Sequence, residues 1–229
     1  MKLDKVLIVK GKIKCITGLF IGGNSEGIDI GGIDNEVIKH PITNEPYIPG
    51  SSLKGKMRSQ MEKIRGKVNI KEKQIRGKKI KIGEPCGCGD KNCEICTMFG
   101  AHKNTSHNLG PTRMLIRDAV MNEDTRRDMN KFMKESGKPY LEVKIENIIN
   151  RNNGTSNDFR YIERVPSGAK FDLEIVLQIF KNDDETRMKN FLKESLKSVE
   201  NSYLGGSGSR GYGQVKFIDM ELNGEEFTI

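Results

Sequence analysis

Residues 22–58 read GGNSEGIDIGGIDNEVIKHPITNEPYIPGSSLKGKMR. A glycine-rich stretch carries one isolated carboxylate, Asp34, after Gly31-Gly32-Ile33, and a proline-braked turn (Pro46, Pro49, Gly50) then feeds a helix. Leu53, Met57, Met61 and Ile64 recur at helical spacing, which predicts a helix over 53–65 with Ser51 or Ser52 as its N-cap. Lys54 and Arg58 lie one turn apart beside that stripe. Free N–H groups at a helix start already carry partial positive charge, so acidic residues are the usual neighbours there. Lys54 and Lys56 instead leave a field that a phosphate would satisfy. The stretch reads as an RNA-backbone cradle with a single carboxylate held beside it. The same residues are also compatible with a plain turn and a solvated helix face.

A chain of 229 residues can bury a substantial core as one large domain. Its net charge of +8 favours a polyanionic partner. With no Trp and 6% aromatic residues, no stacking platform for bases is evident. The N-terminus lacks the apolar stretch of a signal peptide and no run approaches a membrane span, so a cytoplasmic protein without a membrane partner is expected.

Residues 6–16 alternate Val9, Ile13 and Cys15 with Lys10, Lys12 and Lys14, the pattern of a strand with one lysine face. Residues 65–81 have no clean period and carry Lys67, Lys71, Lys73, Arg76, Lys78, Lys79 and Lys81. They read as a mobile surface insertion able to add non-specific phosphate affinity. A strand is expected over 113–120, and a polar helix begins near Asn122 with Phe132 and Met133 as its anchors. Residues 140–149 alternate Leu141, Val143 and Ile145 against Glu142, Lys144 and Glu146, a half-buried strand. With 159–165 it forms a hairpin-like projection carrying Arg151, Arg160 and Arg164. Those arginines suit RNA contact or ion pairs with Glu142, Glu146 and Glu163. Residues 170–180 are the clearest strand. Asp183 caps a helix with Met188, Leu192, Leu196 and Val199 on its apolar face. The glycine loop that follows, LGGSGSRGYG (204–213), offers backbone N–H groups suited to a phosphate.

Four of the five cysteines fall within EPCGCGDKNCEIC (84–96). Cys86, Cys88, Cys93 and Cys96 form Cys-x-Cys and Cys-x-x-Cys arms across a short turn, a spacing that closes a tetrahedron around structural Zn²⁺. His102 or His107 in place of one thiolate stays open, as do four metal-free buried or redox-active thiols.

Taken in order, TGLFIGG (17–23), GGIDNEVI (31–38), IPGSSLKGKMR (48–58), the Cys93–Gly100 segment, RDA (117–119), EVKIENIINR (142–151), RYIERV (160–165) and YLGGSGSRGYG (203–213) resemble one family over nearly the whole chain. It is the repeated backbone subunit of type III-A CRISPR (Csm) interference complexes, of the RAMP superfamily. The resemblance implies an α+β fold: a ferredoxin-like, RRM-like palm with helical and zinc-binding insertions and a projecting β-hairpin thumb. One domain would span 1–229, with an insertion at 65–107 and the thumb at 139–166. The resemblance further implies a filament of copies along a CRISPR guide RNA, beside other Csm subunits, that cuts complementary target RNA at regular intervals. Asp34 falls on the family's cleavage residue; a divalent cation such as Mg²⁺ is expected for the cut, with the preferred ion left open. Lys54 and Arg58 fall on the guide-holding helix, and Gly205, Gly206, Ser207 and Arg210 on the glycine-rich loop. Phe20 stands where members often carry His. Two alternatives share the fold: a guide holder that does not cut, and a CRISPR RNA-processing endonuclease, which commonly relies on a histidine.

Overall fold

The computed structural model describes residues 1–23, 35–137 and 139–229. At its centre is the long strand β1 (Leu3–Cys15), whose alternation buries Leu7, Val9, Ile13 and Cys15 and turns Lys10, Lys12 and Lys14 away. After β1 come α1 (Gly50–Ile64), β2 (Asn69–Ile75), β3 (Lys78–Glu84), α2 (Glu94–Phe99), β4 (Met114–Ile116) and α3 (Glu123–Ser136). Then follow β5 (Glu142–Ile149), β6 (Ser156–Arg164), β7 (Lys170–Phe180), α4 (Glu185–Glu200), β8 (Val215–Leu222) and β9 (Glu225–Glu226).

The main sheet has the order β4-β7-β1-β8-β9 and every pairing is antiparallel. Its two halves, β1-α1-β4 and β7-α4-β8, interleave as split β-α-β units, which is the ferredoxin-like, RRM-like arrangement. Gly11 sits where the β1–β8 register shifts, and a Cβ there would come 2.3 Å from the Met220 sulfur. α1 and α4 pack together over the sheet's apolar side, burying Leu53, Met57 and Met61 against Phe191, Leu192, Leu196 and Val199. Phe99 of α2 meets Phe191 edge to face at 5.8 Å.

Several expectations change in detail. The N-cap of α1 is Pro49, so Ser51 and Ser52 lie inside the helix, and Asp118 accepts the Gly50 N–H at 2.7 Å. Part of the demand for an anion at that helix start is thus met within the chain. Ile64 faces solvent because the helix ends there and no element among the described residues covers it. The strand expected over 113–120 is only three residues long; beyond it Ala119 makes a lone bridge to Ile48. In α3, Thr125 and Met129 are buried while Phe132 and Met133 stay exposed. Asp184, not Asp183, caps α4 by accepting from the Arg187 N–H. The Asp183 carboxylate turns inward to the Arg113 fork.

Two hairpins leave this palm. β5 and β6 pair as one, and β2 and β3 as the other, so the basic stretch read as irregular is an ordered ribbon. The alternation in β5 is inverted relative to expectation. Val143 and Ile145 point outward, while Glu142, Lys144 and Glu146 are the partly covered row. The body beneath the hairpin presents Tyr212 and Arg210, so the polar row is the complementary one.

Candidate nucleic-acid interface

Asp34 lies outside the described residues, but both chain ends flanking 24–34 are fixed. On one side Gly23 donates to the Glu36 carbonyl at 3.1 Å, and Ile38 donates to the Ile21 carbonyl at 2.8 Å. On the other, Asn35 pairs in parallel with Ile162 of β6, its carbonyl accepting from the Glu163 N–H at 3.0 Å. Glu163 completes the anchor: its carboxylate accepts the Val37 N–H at 3.0 Å and pairs with Lys39 at 2.9 Å. The segment immediately after Asp34 is therefore sewn to the root of the thumb hairpin.

The glycine loop closes on the same region from below. Gly206 donates to the Phe20 carbonyl at 2.8 Å and Gly213 to the Gly18 carbonyl at 3.0 Å. A Cβ on Gly205 would come 2.1 Å from the Phe20 carbonyl oxygen, so two backbones meet there with no room for a side chain. Ser207 takes a left-handed φ of 55°, which turns the chain into the short 3₁₀ segment Gly208–Arg210.

The first turns of α1 adjoin this loop. Lys56 stands 3.4 Å above the Tyr203 ring, and Gln60 donates to the Ser202 hydroxyl at 2.6 Å. Gly208 packs against that same ring, where a Cβ would approach within 2.0 Å. Lys54 is half-buried, and burial, helped by the neighbouring Arg58, lowers its pKa from the usual lysine value. A desolvated ammonium next to a second cation gains most from an anion. Tyr203, absent from the expected contact set, meets Lys56 of the anion-seeking helix start, and the pair joins the helix to the loop. An aromatic at the head of a glycine run was the only sequence signal for Tyr203.

The predicted cationic contacts divide by environment. Arg151 is on the exposed hairpin tip and Arg160 is exposed on β6. Arg164 pairs with Glu142 at 2.7 Å and stacks 4.5 Å from the Tyr212 ring. Arg210 pairs with Glu146 at 3.0 Å, and the same carboxylate accepts the Tyr212 hydroxyl at 2.8 Å. Arg58 faces inward: it donates to Glu62 at 2.8 Å and to the Cys86 carbonyl at 2.6 Å. Arg164, Arg210 and Arg58 therefore have intramolecular roles whatever else they contact.

Arg58 and Glu62 together hold the cysteine loop, because Glu62 also accepts the Cys86 N–H at 2.8 Å. The sulfurs of Cys86, Cys88, Cys93 and Cys96 lie within 4.8 Å of one another. Four of their separations are 3.6–3.8 Å. Metal–sulfur arms of about 2.3 Å in a tetrahedron give edges of about 3.8 Å, so the four fit one metal ion. Burial pushes the Cys93 and Cys96 thiols up, so a cation is what would make thiolates tenable there. Neither His102 nor His107 belongs to this cluster; the ring of His107 accepts the Leu109 N–H instead. Gly87 is required, since a Cβ would come 2.2 Å from the His102 carbonyl oxygen.

Residues 12–216 match the family described as the RAMP superfamily. The chain is 41% identical over 225 residues to the CRISPR system Cms endoribonuclease Csm3 of Methanocaldococcus jannaschii, covering 97% of this chain and 82% of that one. The protein of the same name from Streptococcus thermophilus is 37% identical over 212 residues, covering 92% and 86%. Among solved structures, the Csm3–Csm4 subcomplex of the type III-A CRISPR-Cas interference complex is similar at a TM-score of 0.59 and 30% identity, over 97% of this chain and 80% of that one. A type III-B Cmr-beta complex bound to cognate target RNA matches at a TM-score of 0.61 over 95% of this chain and 61% of that one. At 17% identity it attests to the fold alone.

Proposed function

This chain belongs to the RAMP superfamily, and from that premise we propose that it is a type III-A CRISPR backbone subunit that binds guide RNA and cuts the paired target RNA with Asp34. Copies of the chain and other Csm subunits are its protein partners. The observation that carries the reading is the anchoring of residues 35–37 to the thumb root by Glu163, beside the glycine loop. That arrangement fixes Asn35, the first described residue after Asp34 in sequence, where a projecting hairpin meets a cationic floor.

As carboxylates ordinarily do at neutral pH, Asp34 serves as the base. It accepts the proton of the target ribose 2′-OH. The oxygen then attacks the adjacent phosphorus, the bond to the 5′-oxygen breaks, that oxygen takes a proton from water, and a 2′,3′-cyclic phosphate and a 5′-OH result. In-line attack needs a geometry that a regular helix does not offer, and a thumb wedged at the base step supplies it. A divalent cation, Mg²⁺ by the hardness of a carboxylate–phosphate site, would supply charge neutralisation at the phosphate when bound. Lys54 and Lys56 hold the RNA backbone, with Arg151 and Arg160 on the thumb and Gly205–Ser207 at its foot. Cys86, Cys88, Cys93 and Cys96 hold structural Zn²⁺, a closed site without an open position for chemistry. A histidine-based processing nuclease suits the chain poorly, since the ring of His40 accepts turn N–H groups from Ile42 and Thr43.

Asp34→Asn in the reconstituted complex is expected to abolish target cutting and leave guide and target binding unchanged. Cutting at the parental positions by that variant would leave only a guide holder.

A further inference from the structure

The β2–β3 ribbon is the part of the molecule with the least visible means of support. Every residue of β2 is exposed, and β3 is covered only partly, at Ile82 and Glu84. A two-stranded hairpin without a core against it is marginal in water. Yet this one is sharply specified. Its register runs from Asn69 opposite Glu84 to Ile75 opposite Lys78. Its two-residue turn puts Arg76 at φ 49° and Gly77 at φ 77°, the mirror-image turn whose twist suits a hairpin. Its root is tied down too. Glu84 leads through Pro85 into Cys86, which Arg58 and Glu62 clamp to α1.

Charge is distributed unevenly along the ribbon. Residues 67–84 hold seven Lys or Arg against Glu72 and Glu84. At the root, Glu84 neutralises Lys71 at 2.9 Å and Lys73 at 3.3 Å. Among the described residues, Arg76, Lys78, Lys79 and Lys81 form no ion pair, although Glu72 lies opposite Lys81 in the register. The register puts Lys79 and Lys81 on one face, about 7 Å apart along the strand, and Lys78 on the other, with Arg76 at the tip. Isoleucines lie between them: Ile75 and Ile80 are 48% and 40% exposed. A rooted, preformed arm with unpaired cations on both faces fits a partner whose negative charge repeats along a line. Lysines on an open edge also serve to discourage strand pairing between molecules. That role alone accounts for neither the neutralised root nor the free tip.

We infer that the β2–β3 ribbon is a second RNA contact, an arm whose Arg76, Lys78, Lys79 and Lys81 grip phosphates outside the cradle formed by α1 and the glycine loop. The inference rests on the RNA-binding reading above.

The test compares the full-length chain with a Lys78→Gln/Lys79→Gln/Lys81→Gln variant, binding a labelled single-stranded RNA of guide length over a range of salt. Each phosphate contact on a single strand contributes about 0.7 to the slope of log affinity against log salt. The triple variant is expected to bind more weakly and to flatten that slope by about 2. Arg76→Asn, which keeps a residue suited to the positive φ, is expected to flatten it by about 0.7. All positions are exposed, and an unchanged circular dichroism spectrum and metal content confirm the fold. Unchanged affinity and slope in both variants overturn the inference. So does a variant that aggregates yet keeps the parental slope, which would make the lysines edge protection. A parental chain whose RNA binding shows no salt slope defeats the broader RNA-binding reading instead, so the two failures are distinct.

Discussion

Glu163 is one of two glutamates buried among the described residues, and it closes three contacts at once: its own N–H to Asn35, and its carboxylate to the Val37 N–H and to Lys39. Removing that carboxylate strands a buried backbone donor and an ammonium. Glu163→Ala is expected to cost about 3–5 kcal/mol in denaturant unfolding. Glu163→Gln, which keeps an acceptor for the Val37 N–H, should cost less. A Glu163→Ala chain as stable as its parent would remove this residue as the anchor. Asp183 makes the acid-pH counterpart. Burial would raise its pKa, but the Arg113 fork and the Phe180 N–H outweigh burial and hold it below the ordinary carboxylate value. A depressed folded pKa means stability that is complete above the unfolded value, about 3.9, and is lost as pH falls through the folded one. Asp183→Asn should therefore be less stable at neutral pH and show a shallower loss below about pH 4. An acid limb identical to the parent's would show that the pair contributes nothing.

At the scale of elements, the cysteine loop is the clearest dependency. It joins α1 through Arg58 and Glu62 to α2, where Cys93 is the N-cap residue and Cys96 lies in the helix. Chelation, or Cys93→Ser, should lower the melting temperature by roughly 6–12 °C. That assumes about 3 kcal/mol and 2–4 °C per kcal/mol for a chain of this size. Metal-free protein that melts with the parent would refute a structural metal. This site was legible in the sequence because ligand identity and spacing are local. So were β1, β7 and the buried face of α4, whose periods are long and clean. What escaped was decided by contacts distant in sequence. Alternation in β5 implied an apolar inner face, and the inner face proved polar because Tyr212 and Arg210 lie beneath it. Asp183 is the cap expected from sequence, but Arg113, 70 residues away, claims its carboxylate and leaves the capping to Asp184. The ribbon at 69–84 was hidden because lysines interrupt its strand pattern, although Arg76-Gly77 marked its turn.

For the whole molecule, the question is what sets the angle between thumb and palm, since the proposed cut depends on where the thumb wedges the paired strands. The joint is small. Tyr212, 1% exposed, has Lys144 and Arg164 each 4.5 Å from its ring, and its hydroxyl donates to Glu146. Burial, and then the hydrogen bond to Glu146, push the Tyr212 pKa up to about 12, so the phenol stays protonated and keeps donating through the physiological range. Glu146 also holds Arg210 of the glycine loop, so one carboxylate couples hairpin and loop. Glu146→Ala should leave the palm folded but free the thumb, read as faster proteolytic nicking within 142–164 and blurred cut positions in the assembled complex. Tyr212→Phe keeps the ring between its two cations and loses one hydrogen bond, about 1 kcal/mol, so its cuts should stay sharp. Sharp cuts from Glu146→Ala, with parental nicking, would mean that the thumb angle is set at its root, by the Leu19–Val165 and Asn35–Ile162 bridges and the Glu163 anchor, and not by this carboxylate.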